Sequence, residues 1–287
     1  MSTLFSKIVE EAFEDVSTVV EDPNTLQWAY FDTLKWACFD GNISLVNLLF
    51  GVVDPSAFNN EAIRTASENG HADVVDRLLQ DSRVDPSACV NSAIGYASHY
   101  GHIAVVDRLL QDSRVDPSAD NNYAICYASQ NGHIAVVDRL LQDPRVDPSV
   151  KINEPIRWAS HYGHADVVDR LLQDSRVDPS VDNNYAIRWA SQNGHVAVVE
   201  RILQDRRSTL QHTHIALRTA AEHNQGEIVD LVLRCGRKLS CSKLTISIRN
   251  ATLCGYDTIV ERLKQELAVE SKSQSQSKST KRKKLVV

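Results

Sequence analysis

The chain has 287 residues, 43% of them hydrophobic, and a formal net charge of -6. That charge is uneven, because residues 271–287 hold six of the 31 basic side chains and none of the 37 acidic ones. An acidic body with a basic tail argues against general nucleic-acid binding by the body, since phosphate neutralisation needs a basic face. The six cysteines include no CxxC pair or metal-ligand spacing, the amino terminus lacks the apolar run of a signal peptide, and no stretch approaches the roughly 18 consecutive apolar residues of a membrane span. Reduced thiols and a cytoplasmic protein are expected.

In chain order, residues 1–30 read as an N-terminal capping helix with an amphipathic stripe of Leu4, Phe5, Ile8, Val9, Ala12, Phe13 and Val16. Residues 31–265 then carry an internal repeat, the signal that outranks others when an architecture is read. Gly70, Gly101, Gly132, Gly163 and Gly194 recur every 31 residues, each followed by a histidine (His71, His102, His133, His164, His195), and an Asp-Pro pair keeps the same step from Asp54 to Asp178. A unit of this size cannot bury its own apolar face, so copies must stack to share a core.

One unit, Asp116–Val146, shows the local logic. Asp116-Pro117-Ser118 is turn chemistry, with proline fixing φ and aspartate able to accept from an amide two residues on. Asn122, like Asn60, Asn91, Asn153 and Asn184, stands where a helix N-cap is expected. Ile125, Ala128 and Ser129 form the apolar face of a first helix, which Gly132 ends in a left-handed turn. Val136, Val137, Leu140 and Leu141 make the broad stripe of a second helix. Where the second helix carries an extra aspartate, Asp73 with Arg77 and Asp166 with Arg170 are expected to pair at i,i+4, worth about 0.2–0.5 kcal/mol each.

The order in AICYASQNGHIAVVDRLL, recurring in register, resembles the ankyrin repeat, with EAIR, SAIG, YAIC, EPIR and YAIR at the family's TPLH segment and Gly-His at its turn. Degenerate copies extend it: residues 32–50 with Asn42 for the histidine, 216–233 with Asn224-Gln225 for Gly-His, and 247–263 with Gly255-Tyr256, for about eight repeats. The period of 31 against the family's typical 33 and the missing finger glycine predict short turn or hairpin fingers. The resemblance implies an all-α, ankyrin-like helical repeat solenoid that binds proteins through a concave face made by the first helices and fingers.

Histidines one stacking step apart lie about 8–10 Å from each other, too far to share a metal whose ligands sit at about 2.0–2.1 Å. As the resemblance implies, they bond turn backbone. His212 and His214 form a lone HxH that is not read as a metal site. No nucleophile, base and acid set stands outside the repeat pattern, so no catalysis, cofactor, metal or small-molecule substrate is expected.

Comparison among the repeats locates a candidate surface. The second helices and the RVDPS turns are nearly constant, whereas the loop-to-helix junctions and the ends of the first helices vary. Aromatic and arginine side chains dominate interface hot spots, which selects Tyr100, Tyr123, Glu154, Arg157, Tyr162, Tyr185 and Arg188 as partner-binding candidates. Trp158 and Trp189 are expected to pack between repeats. The reading is a monomeric adaptor or scaffold for an unidentified protein, with no membrane or nucleic-acid partner. The alternatives are a spacer without specific ligand, or a nuclear regulatory factor. Residues 266–287 read as a disordered basic tail in which Lys281, Arg282, Lys283 and Lys284 form a candidate nuclear-import patch.

Overall fold

In the computed structural model the backbone is described for residues 23–237 and 239–284, and the side chains for residues 27–237 and 239–272. The expected capping stripe Leu4–Val16 lies outside them. Among the described residues the chain is all-α, without strands, and its contacts form two compact units that meet in sequence at Asp147 and Pro148.

Among the described residues unit 1 holds four helix pairs: α1 (Pro23–Asp40) with α2 (Ile43–Leu49), α3 (Ala57–Glu68) with α4 (Ala72–Leu79), α5 (Ala88–His99) with α6 (Ile103–Leu109), and α7 (Ala119–Gln130) with α8 (Ile134–Leu140). Unit 2 holds four more: α9 (Val150–Tyr162) with α10 (Ala165–Leu172), α11 (Val181–Gln192) with α12 (Val196–Gln204), α13 (Leu210–Glu222) with α14 (Gly226–Arg234), and α15 (Cys241–Leu253) with α16 (Asp257–Lys284). Within each unit, successive first helices pack on one another, and successive second helices do the same. The fingers are turns, with no hairpin among the described residues.

The core follows the periodicity of the sequence. In the third repeat Ala93, Ile94 and Ala97 from the first helix meet Val105, Val106 and Leu109 from the second, all buried. Full burial of each Ile, Val or Leu contributes roughly 1.5–3 kcal/mol, and the layer recurs in every regular repeat. Asp85 and Asp116 accept from the amides of Ser87 and Ser118 at 2.9 Å, the turn expected of Asp-Pro-Ser.

The chain departs from expectation just after that turn. Phe58-Asn59-Asn60, Cys89-Val90-Asn91, Asp120-Asn121-Asn122, Lys151-Ile152-Asn153 and Asp182-Asn183-Asn184 each form a left-handed turn, with φ between 47° and 61°. Such residues cost roughly 1–2 kcal/mol each, least for Asn and Asp. The asparagine ending each triplet is therefore not the N-cap the local sequence suggests. Its Oδ1 accepts instead from an amide of the following repeat: Asp85 N–H donates to Asn60 at 2.7 Å, Asp116 to Asn91 at 2.8 Å, Asp147 to Asn122 at 2.7 Å and Asp178 to Asn153 at 2.9 Å. Asn184 has no such donor, because the seventh repeat starts with a Thr209 capping box in which the Thr209 N–H donates to His212 Nδ1 at 3.0 Å.

The arginine of RVDPS is a second tie between repeats. Arg114 grips Asp112 with Nε and Nη2 and donates from Nη1 to the Val84 carbonyl at 2.7 Å, and Arg145 does the same to Asp143 and Val115. The expected Asp73–Arg77 pair does not form. Arg77 Nε donates to Asn47 Oδ1 of the preceding repeat at 2.7 Å and its guanidinium lies over Phe50, while Asp73 accepts from the Val74 amide at 2.9 Å.

At the carboxyl end α16 runs without a break to Lys284, where composition predicts disorder from residue 266. Its first turns are docked through Ile259, Val260 and Leu263. α1 likewise crosses residue 30, where the cap was expected to end.

Candidate functional site

The Gly-His turns settle what the histidines do. The Nε2–H of His102 donates to the Glu68 carbonyl, that of His133 to His99 and that of His195 to His161, each at 2.9 Å. The ring lies on the glycine of the preceding turn. A Cβ added at Gly70, Gly101 or Gly163 would come within 2.6 Å of the imidazole Nδ1 of His102, His133 or His195. These glycines thus serve twice, in left-handed backbone and as the seat of a ring. In the seventh repeat Gln225 takes over, its Nε2 donating to the Gln192 carbonyl at 2.9 Å, while Asn224 adopts the left-handed conformation. His71, His102, His133 and His195 are each committed to a backbone carbonyl, and no cluster of three or more His, Cys, Asp or Glu residues among the described ones could hold a metal ion.

The sequence-selected candidates divide between the units. In unit 1, Tyr100 is exposed at the end of α5, edge-on to His99 at 4.6 Å. Tyr123 is half-buried, its ring 4.1 Å from that of Tyr127. Burial, with Tyr127, Tyr96 and Asp120 nearby, pushes the Tyr123 phenol up to about 12, so it stays protonated. Tyr96, Tyr123 and Asp120 also line a cavity of about 250 Å³ together with Gly95.

In unit 2, Tyr162 is exposed at the end of α9, its ring 6.0 Å from that of Trp158. Glu154 accepts from Trp158 Nε1 at 3.2 Å and pairs with Lys151 at 3.3 Å. Arg157 pairs with Asp182 of the next repeat at 3.0 Å and lies over the Tyr185 ring at 4.4 Å. Arg188 Nη2 donates to the Asn183 carbonyl at 2.6 Å and to the Asp182 carbonyl at 3.3 Å. Trp189 packs between repeats, against His161 of the preceding one, whereas Trp158 meets His161 within its own helix.

Arginine at this first-helix position therefore has a task that the sequence did not reveal, which is to satisfy carbonyls freed by the left-handed turn. Arg64 does the same for Phe58 and Asn59. Tyr100 and Tyr162 are the most exposed of the seven candidates. His214, whose pKa burial and Lys243 hold below the usual range, lines an open cleft of about 580 Å³ with Arg188, Arg218 and Lys243. The side chains of Lys281, Arg282, Lys283 and Lys284 lie outside the described residues.

Paired helices that repeat every 31 residues, joined by Gly-His turns and short fingers, define a helical repeat protein. The sequence profile for "Ankyrin repeats (3 copies)" matches four overlapping stretches, 34–121, 66–152, 94–183 and 156–243, and the chain belongs to the ankyrin-repeat family. Among solved structures, the ankyrin repeat domain of human ASB11 aligns with a TM-score of 0.56 and 20% identity, covering 72% of this chain and 99% of that one. No curated protein matches the sequence. Ankyrin repeats are in general protein-protein interaction modules, and typically scaffolds rather than enzymes. No helix among the described residues is long and apolar enough to cross a membrane.

Proposed function

We propose that the chain is an adaptor or scaffold that holds a partner protein against the exposed faces of its first helices. The observation that carries this reading is the contrast between two classes of position. Residues that tie repeat to repeat, such as His133, Arg145 and Asn153, recur nearly unchanged. Side chains that leave the stack at the ends of the first helices alternate between residues as different as Glu68-Asn69 and His99-Tyr100. A spacer without a ligand would have no use for exposed tyrosines there, since interface affinity rests on a few such aromatic anchors rather than on area.

Tyr100→Ala with Tyr162→Ala is the variant to test, because both rings are exposed and neither carries an inter-repeat hydrogen bond. Affinity capture from the native lysate is compared between this variant and the wild type, with helical content checked by circular dichroism. A protein retained by the wild type and lost from the folded variant supports the reading. Retention by both variants in equal amount contradicts it.

A further inference from the structure

One column of the first helices is cationic in six of the eight repeats: Lys35, Arg64, Arg157, Arg188, Arg218 and Arg249. The third repeat has Gly95 there. The surroundings that receive Arg157 in unit 2 are repeated around Gly95 in unit 1. Arg157 donates to the Lys151 carbonyl at 3.4 Å, pairs with Asp182 and stacks on Tyr185. The corresponding residues beside Gly95 are Cys89, Asp120 and Tyr123, and all three line the cavity of about 250 Å³ together with Val90, Tyr96 and Asp116. Among the described residues no basic side chain pairs with Asp120, whereas its counterpart Asp182 holds one.

We propose that this cavity receives an arginine side chain of the partner protein, the guanidinium taking the place that Arg157 fills from within the chain in unit 2. The inference rests on the interaction reading above and deepens it by naming what one subsite recognises. A planar guanidinium can stack on the Tyr123 ring, fork to the Asp120 carboxylate and still donate to the Cys89 and Val90 carbonyls, as Arg64 and Arg188 do in their own repeats. A lysine ammonium matches the charge without the plane or the fork. The acidic balance of residues 1–270 suits a basic partner segment.

Gly95→Arg supplies the side chain from within. A Cβ at Gly95 would meet the Tyr123 ring at 2.8 Å, so the ring must turn aside to admit the new side chain. Asp120→Asn keeps a residue that tolerates left-handed backbone and removes only the charge.

The probe is ethylguanidinium, titrated into the full-length chain carrying ¹³C-labelled tyrosine and compared with ethylammonium. Saturable shifts of the Tyr96 and Tyr123 ring signals, at least fivefold tighter for ethylguanidinium and weakened at least tenfold in both G95R and D120N, are expected. Equal binding of the two cations, undiminished binding in G95R and D120N, or no saturable shift overturns the proposal. Partner capture separates the two readings. If Y100A/Y162A loses the partner while G95R and D120N hold it as wild type does, the arginine subsite fails and the interaction surface stands. If Y100A/Y162A keeps it, the surface reading fails whatever the probe shows.

Discussion

Asn153 and Asn184 form a matched pair for measuring the inter-repeat staple. Both are 5% exposed, both belong to unit 2, and their backbones agree closely, with φ 57° and 60° and ψ 44° and 43°. They differ in one respect: Asn153 Oδ1 accepts from the Asp178 amide, and Asn184 Oδ1 has no partner. Alanine at either site loses the tolerance of asparagine for left-handed backbone, about 1–2 kcal/mol at most. At Asn153 it also strands the Asp178 N–H, for about 1–3 kcal/mol more. Asn153→Ala should therefore destabilise unit 2 by about 2–5 kcal/mol and Asn184→Ala by no more than about 2. Equilibrium urea unfolding followed by tryptophan fluorescence reports the difference, since Trp158 and Trp189 both lie in this unit. Equal losses at the two sites would refute the staple and return these asparagines to a purely local role.

Three further outcomes follow from the same geometry. Gly163→Ala combines a φ of 86° with a Cβ 2.6 Å from the His195 ring, and is expected to cost about 2–4 kcal/mol. The cost should fall to about 1–2 in a His195→Ala background, where the ring is gone, and a double-mutant cycle without coupling would contradict the seat assigned to this glycine. Ser191→Ala removes a buried hydroxyl without a hydrogen-bond partner, at a position where the seventh repeat already has Ala221. It should raise stability by about 0.5–2 kcal/mol, and a lowered thermal midpoint would count against it. Stability should also fall on acidification in two windows. His161, His212 and His214 are held below their ordinary 6.5 by burial, so the unfolded chain takes up protons that the folded one resists and stability declines as pH drops through about 6.5. Asp112, Asp143, Asp174 and Asp205 are held low by hydrogen bonds from the arginine two residues on. Their contribution is present above the ordinary carboxylate range and lost as pH falls through it toward the folded values, a decline that Arg176→Gln should flatten; urea midpoints taken from pH 8 to pH 3.5 check both windows.

Helix pairs, turn glycines and the buried stripes were legible in the sequence because each depends on residues within a few positions of one another. Ile125 and Ala128 share a face by helical spacing alone, and Asn224 reads as left-handed without reference to anything distant. What escaped was the chemistry that closes one repeat on the next. Asn153 looks like an N-cap because its neighbours in sequence begin a helix, yet the amide it satisfies lies 25 residues away. Arg145 sits in a constant turn motif, and only the stack shows its reach to the Val115 carbonyl. Arg157 and Arg188 have the composition of hot spots, and their inward hydrogen bonds depend on a left-handed turn that no propensity predicts for Lys151 or Ile152. Gly95 is the converse case: its importance lies in the side chain that its sister repeats carry and it does not.

The most direct measurement of the central claim is hydrogen-deuterium exchange of the full-length chain, free and in complex with the captured partner. Added protection at the carboxyl ends of α5 and α9, around Tyr100 and Tyr162, and at the left-handed turn before Tyr123, with α6, α8, α10 and α12 unchanged, is the predicted result. Protection confined to those second helices would contradict the account.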